Sequence, residues 1–173
     1  KGRIVKEGLR TLLIGKTNVG KSSLLNLLLK TKKAIVTDIE GTTRDMIEDQ
    51  LEIKGLLIRL TDTAGIRESK DQIEQIGVAM TKEMIPQSDL ILWVMDGSRP
   101  FDQNDAEIED CLQGKKVIYI KNKCDLPSAL TVSYSLLPIS CKTGEGLDEL
   151  YDAIYQVALE EQPDFQESTF FNN

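Results

Sequence analysis

Apolar runs of strand length recur at residues 9–14, 56–60, 90–95, 117–120 and 136–139, and helix-length segments separate most of them. That alternation predicts an α/β domain with a mainly parallel sheet. The run at 90–95, Leu-Ile-Leu-Trp-Val-Met, has no polar alternate, as a strand covered on both faces requires. Residues 46–53 and 56–62 flank Lys54-Gly55 and read as a hairpin. Its second strand should lie parallel to strand 9–14, leaving the first as an antiparallel edge. A helix should open at Lys21, after Gly20, and its Leu24, Leu25, Leu27, Leu28 and Leu29 leave little polar face, which predicts burial. Further helices are expected over 73–85, ending before Pro86, and over 102–112. The last, over 147–159, places Leu147, Leu150, Tyr151, Ile154, Val157 and Ala158 on one stripe. Residues 126–138 are too few for a full helix and its loops, so that stretch should be partly irregular. The expected architecture is a six-stranded, mostly parallel sheet with one antiparallel edge strand and helices on both faces.

Composition narrows the chemistry more than the fold. A chain of 173 residues makes one domain. The body of that domain is expected over residues 9–159, with a junction at 1–8 and a tail, or a junction to a missing domain, at 160–173. The chain starts at Lys1, not Met, as expected of a processed or excised piece. Histidine is absent, which excludes Ser-His-Asp triads, Cys-His nucleophile pairs and His-bearing metal sites. The three cysteines form no Cys-x-x-Cys pair, so a disulfide framework or structural zinc is not expected and a reducing compartment fits. No apolar run approaches the roughly 18 residues of a membrane span. The net charge is −7, and Glu160, Glu161, Asp164 and Glu167 place much of it in the tail. The acidic balance therefore says little about partners.

Gly15-Lys16-Thr17-Asn18-Val19-Gly20-Lys21-Ser22 fits Gly-x-x-x-x-Gly-Lys-[Ser/Thr] in full, after a predicted strand and at the start of a predicted helix. The two glycines permit a tight loop whose backbone N–H groups, from Asn18 through Val19 and Gly20 to Lys21, Ser22 and Ser23, can turn inward to phosphate oxygens. The helix N-terminus adds partial positive charge. Lys21 offers a point charge to β- and γ-phosphates, and the Ser22 hydroxyl can ligate Mg2+. The base is chosen further along. Asn122-Lys123-Cys124-Asp125 follows the strand at 117–120. The Asp125 carboxylate can accept from both N1–H and the 2-amino group of guanine; adenine offers no such pair. Asn122 can hold the loop, and the Lys123 stem can lie over the purine. Ser140-Cys141-Lys142 can bring a backbone N–H to guanine O6. Two segments between suit a γ-phosphate sensor. Asp62-Thr63-Ala64-Gly65 ends a strand: Asp62 can hold Mg2+ through water, and the Gly65 N–H can bond the γ-phosphate. In Gly41-Thr42-Thr43-Arg44-Asp45 a threonine can ligate Mg2+ only while that phosphate is present, so hydrolysis frees the loop.

In this order the segments resemble the Ras-like, or TRAFAC, P-loop GTPases over about residues 9–159. The phrases at 17–24, 34–45 and 62–67 are similar to the Era/Der/MnmE branch. Ile73-Glu74-Gln75-Ile76-Gly77-Val78 then resembles MnmE (TrmE), the family of tRNA-modification GTPases; Der usually lacks Glu-x-x-Gly-[Ile/Val] there. The resemblance implies a GTP-hydrolysing G domain whose parent modifies the wobble uridine of certain tRNAs with the flavoprotein MnmG (GidA), in the bacterial cytoplasm or an organellar matrix. It implies a K+ ligand at Asn18, completed by backbone carbonyls near Thr37 and Ile39 and by Thr42, with Thr43 joining Ser22 and Asp62 on Mg2+. It also implies G domains that dimerise across their switch faces in the GTP or transition-state form. Ile66 stands where many Ras-like GTPases place a water-orienting Gln, and Glu74 matches the glutamate that MnmE proteins use. Lys21, Thr43, Gly65 and Glu74 are thus the expected catalytic set. Position 16 is Lys and position 17 Thr, where the family commonly has Arg and Pro; neither is expected to touch phosphate, and both departures are discounted. A Der- or Era-like ribosome-assembly GTPase, acting as an RNA-binding switch, stays as the alternative. A P-loop kinase would need a lid, and no lid sequence is found.

Overall fold

The computed structural model describes residues 7–16, 19–31, 48–62 and 82–161. Within them the chain runs β1 (Leu9–Ile14), α1 (Lys21–Thr31), β2 (Glu48–Ile53), β3 (Leu56–Asp62), a 3-10 turn (Ile85–Gln87), β4 (Leu90–Asp96), α2 (Gln103–Cys111), β5 (Val117–Asn122), β6 (Leu137–Pro138) and α3 (Leu147–Glu161). The strands form a six-stranded sheet in the order β2-β3-β1-β4-β5-β6. Only the β2–β3 pair is antiparallel, as the hairpin reading requires. Lys54 and Gly55 close that hairpin at φ +51° and +84°, the doubly left-handed turn that matches the twist of two paired strands.

Side-chain alternation along the central strands divides the core in two. On one face Leu9 and Leu13 of β1 and Leu90, Leu92 and Val94 of β4 pack with Leu24 and Leu28 of α1 and Leu150 and Ile154 of α3. On the other, Leu12, Ile14, Ile91, Trp93 and Met95 pack with Ile85, Leu112 and Leu130. Every residue of β4 is buried, which is why its sequence shows no polar alternate. The leucines of α1 grade from fully to half buried, with Leu24 and Leu28 innermost.

Several expectations shift in detail. The helix expected over 102–112 is α2, trimmed by one residue at each end. Asp102 is its N-cap: its side chain accepts from the Asp105 N–H, while Asp105 accepts from the Asp102 N–H. This reciprocal box ends the helix where the chain first offers a short carboxylate. The strand expected over 136–139 contracts to two residues, because Pro138 has no N–H to continue a ladder and is tolerated only at the sheet edge. The helix expected over 73–85 lies mostly outside the described residues. Residues 82–84 are helical, and Pro86 does not stop the chain but sits inside the 3-10 turn that follows. A proline is accepted there because the first N–H groups of a helical turn have no internal partner. The connection from β5 to β6 is irregular, as expected. It is tied to the β4 end by the N–H groups of Ala129 and Leu130, which both donate to the Gly97 carbonyl.

Candidate guanine nucleotide site

The parallel strands β1, β3, β4, β5 and β6 all end at one edge of the sheet. Each delivers a polar group there: Gly15 and its loop after β1, Asp62 at the end of β3, Asp96 at the end of β4, Asn122 at the end of β5, and Ser140 just after β6. Ligands bind at this edge in open α/β sheets because strand ends and helix N-termini converge on it.

Asn122 is the hub. Its side-chain amide donates to the Val19 carbonyl at 2.8 Å, and its oxygen accepts from the Cys141 N–H at 3.2 Å. One buried amide thus links the phosphate loop, the base-reading turn and the loop after β6. Gly20 makes this approach possible. It sits at φ +93°, and a Cβ there would clash with the Asn122 amide nitrogen. Gly15 is equally constrained, since a Cβ would come within 2.8 Å of the Val94 carbonyl.

Lys21, the first residue of α1, is 4% exposed. Its ammonium lies 3.4 Å from the Gly15 carbonyl and 3.5 Å from the Asp62 carboxylate. The cation is therefore aimed back across the mouth of the loop, beside the carboxylate that ends β3. The Ser22 and Ser23 side chains are exposed at the helix start. A carboxylate and a hydroxyl are hard oxygen donors that suit Mg2+, an ion commonly held by one or two protein ligands together with substrate phosphates. Among the described residues no three His, Cys, Asp or Glu side chains gather around one point.

On the base side, Asp125 is exposed, and one of its carboxylate oxygens accepts from the Ser140 hydroxyl at 2.9 Å. Ser140 is itself fully buried and accepts from the Thr143 N–H. The pair orients the carboxylate and leaves it open to solvent. Lys123 holds a left-handed backbone at φ +63°, uncommon for a residue with a Cβ. Its ammonium reaches the Asp96 carboxylate at 2.9 Å. Burial alone would raise the Asp96 carboxyl, but hydrogen bonds from Lys123 and from the Ser98 hydroxyl and N–H outweigh it and hold the group below the usual carboxylate range. Burial also pushes the Cys124 and Cys141 thiols up, so neither is a ready thiolate beside the base site.

The structure thus brings together Val19, Gly20, Lys21, Ser22, Asp62, Asn122, Lys123, Asp125, Ser140, Cys141 and Lys142 at one edge. Asn18, Thr37, Ile39, Thr42, Thr43, Gly65 and Glu74 lie outside the described residues. Sequence reasoning missed Asp96. The available signal was a carboxylate ending a wholly apolar run, directly before Gly97-Ser98. It also discounted Lys16, whose ammonium sits 3.0 Å from both Asp102 and Asp105.

The sequence model of the 50S ribosome-binding GTPase family matches residues 10–123, from β1 through the Asn122-Lys123 turn. The chain belongs to this GTPase family. It is therefore a GTPase, and its described architecture is that of a Ras-like P-loop domain. Among curated relatives, the tRNA modification GTPase MnmE of Geobacter sulfurreducens is 50% identical over 163 residues, spanning 91% of this chain and 36% of that protein. The MnmE of Bacillus cytotoxicus is 45% identical over 180 residues, spanning 99% of this chain and 39% of that protein. The chain thus spans little more than a third of the length of the curated relatives it matches. Among solved structures, an Aquifex aeolicus Era variant bound to GDP·AlF4− shows a TM-score of 0.63 at 32% identity, over 85% of this GTPase and 56% of that chain. The G domain of the Thermotoga maritima FeoB iron transporter shows a TM-score of 0.59 at 26% identity, over 87% and 98% respectively. No helix among the described residues is long and apolar enough to cross a membrane.

Proposed function

We propose that this chain is the GTP-binding and GTP-hydrolysing domain of a tRNA wobble-uridine modification GTPase. The observation that carries the guanine nucleotide reading is the Asn122 bridge, which couples the phosphate loop to the base-reading turn. In this reading Lys21 and the loop N–H groups through Ser23 hold the β- and γ-phosphates. Ser22 and Asp62 hold Mg2+, with Thr43 completing the set. Asp125 accepts from N1–H and the 2-amino group of guanine, the Lys123 stem lines the purine face, and the segment Ser140, Cys141, Lys142 supplies a donor to O6. Asn18, Thr37, Ile39 and Thr42 hold K+. When bound, the two cations offset phosphate charge where other GTPases use an arginine. The Gly65 N–H contacts the γ-phosphate, and Glu74 orders the attacking water through a second water, because a carboxylate in direct contact with phosphate would be repelled.

Identity of 45–50% to MnmE proteins, against 32% to Era, favours the tRNA-modification parent over a ribosome-assembly factor. That parent would act with MnmG and tRNA in the bacterial cytoplasm or an organellar matrix, and its G domains would pair across their switch faces in the GTP or transition-state form. The test is single-turnover GTP hydrolysis in potassium and in sodium, for the wild type and for Glu74→Ala. Potassium should accelerate the wild type, and Glu74→Ala should lose on the order of 100-fold or more in rate with GTP affinity nearly unchanged. Equal rates in both salts would remove K+ from the reading, and an undiminished Glu74→Ala would remove the water-ordering role.

A further inference from the structure

We propose that Lys16 is a positioning residue: bridging Asp102 and Asp105, it clamps the outer end of the phosphate loop onto the start of α2 and holds the loop in its nucleotide-binding shape. The proposal rests on the guanine nucleotide reading above.

Lys16 directly follows Gly15, where the loop leaves β1. Its ammonium lies 3.0 Å from Asp102 Oδ2 and 3.0 Å from Asp105 Oδ2. The partners are 86 and 89 positions away in the chain, so the contact is tertiary and not a turn. The two aspartates are already engaged with each other's backbone. The Asp102 N–H donates to Asp105 Oδ2 at 2.9 Å, and the Asp105 N–H donates to Asp102 Oδ1 at 3.0 Å. This places two carboxylates within one helical turn, and the Asp105 side chain is only 4% exposed. Its second oxygen, Oδ1, is buried and meets no hydrogen-bond donor among the described residues. Like charges held this closely, one of them out of water, need a counter-charge. Among the described residues Lys16 is the cation that contacts both. Burial opposes its charge, but the hydrogen bonds to both aspartates outweigh that and raise its pKa, while the bond from Lys16 lowers that of Asp102.

The consequence for function follows from where the clamp sits. The inner part of the loop is tied by the Val19 carbonyl to Asn122, and its far end by the Lys21 ammonium near the Gly15 carbonyl. Among the described residues Lys16 supplies a further anchor, joining the outer end of the loop to α2, which neither of these contacts reaches. A loop already ordered before the phosphates arrive does not spend binding free energy on ordering. Loss of the anchor should therefore appear as faster nucleotide release, not as slower chemistry in the loaded enzyme. The side chain that sequence reasoning set aside, because it contacts no phosphate, acts through the loop that does.

The experiment measures dissociation of fluorescently labelled GDP from the 173-residue chain by stopped flow, beside single-turnover hydrolysis at saturating GTP and thermal melting. The variants are Lys16→Met, Lys16→Arg, Asp102→Asn and the double variant Lys16→Met/Asp102→Asn. Asparagine caps a helix about as well as aspartate, so Asp102→Asn removes the charge and keeps the cap. Lys16→Met and Asp102→Asn should each speed release about five- to tenfold, and the double variant should be little faster than Lys16→Met alone, because both remove one coupled interaction. Lys16→Arg should stay within about twofold, since a guanidinium can bridge two carboxylates. The melting temperature of Asp102→Asn should barely move. Release from Lys16→Met within about twofold of wild type, or fully additive effects in the double variant, would overturn the clamp. A loss of saturated hydrolysis rate as large as the gain in release would overturn the positioning role in favour of a part in the chemistry. If Lys16→Met does not fold, Asp102→Asn alone decides by the same criteria. Failure of the wild type to retain labelled GDP would overturn the nucleotide reading itself, a distinguishable result.

Discussion

In the proposed reading, Asp125 selects the base by matching two acceptor positions to the two donors of guanine. The Ser140 hydroxyl on one oxygen holds the carboxylate in place without neutralising it. Asp125→Asn replaces one acceptor with a donor and inverts the pattern, so preference should move from guanine to xanthine nucleotides; competition binding with GDP and XDP checks this. Asp96 belongs to the same scale and was not legible beforehand, because its partner is chosen by the adjacent strand. It holds Lys123 by its charge, against the desolvation that burial imposes. Asp96→Asn keeps an acceptor for Ser98 but loses the ion pair. GDP affinity should fall about tenfold, roughly 1.4 kcal/mol by titration. The pH dependence has a defined sign. Because the folded pKa of Asp96 is depressed, its contribution to stability is present above the ordinary carboxylate pKa of about 4 and is lost as pH falls through the lower folded value. Acid unfolding of Asp96→Asn should lack that component.

At the scale of elements, the irregular β5–β6 connection does more than close a gap. It lays Tyr134 against Tyr119, with ring centroids 4.0 Å apart, and near Trp93. The aromatic stack is apolar, and the Tyr134 hydroxyl is buried there without a hydrogen-bond partner among the described residues. Burial, followed by the negative charge of Glu109 and further contributions from Tyr119 and Asp105, pushes the Tyr134 pKa up to about 12. A buried hydroxyl with no partner costs about 1–3 kcal/mol. Tyr134→Phe should therefore leave stability unchanged or raise it by about 0.5–1 kcal/mol in a denaturant titration. The folded state favours the neutral phenol, so this contribution is present below the unfolded pKa of about 10 and is lost as pH rises toward 12. In a spectroscopic titration the variant should lack the component that ionises near pH 12.

For the whole molecule, the sheet orders five parallel strands so that Gly15, Asp62, Asp96, Asn122 and Ser140, at or just after the strand ends, lie at one edge. The proposed pairing of two such domains across their switch faces is tested by sedimentation. The chain with GDP should run as a monomer, and with GDP and aluminium fluoride in potassium as a dimer. A dimer in both conditions, or in neither, counts against it.

What the amino-acid sequence determined by itself is what local spacing encodes. The phosphate loop, the Asn122-to-Asp125 turn, the β2–β3 hairpin and the stripe of α3 each lie within a short window, where φ requirements and side-chain periodicity are written in adjacent residues. The parallel sheet was legible too, because strand-length and helix-length segments alternate. The interactions that join the loops were decided only by tertiary structure. Asn122 meets Val19 across 103 positions, Lys123 meets Asp96 across 27, and Lys16 meets Asp102 across 86. No periodicity links such pairs. They meet because parallel strands distant in the chain lie side by side and end at one edge, and there burial makes a charge or amide find a partner. A lysine that looks incidental in sequence becomes an anchor once α2 is packed beside the loop.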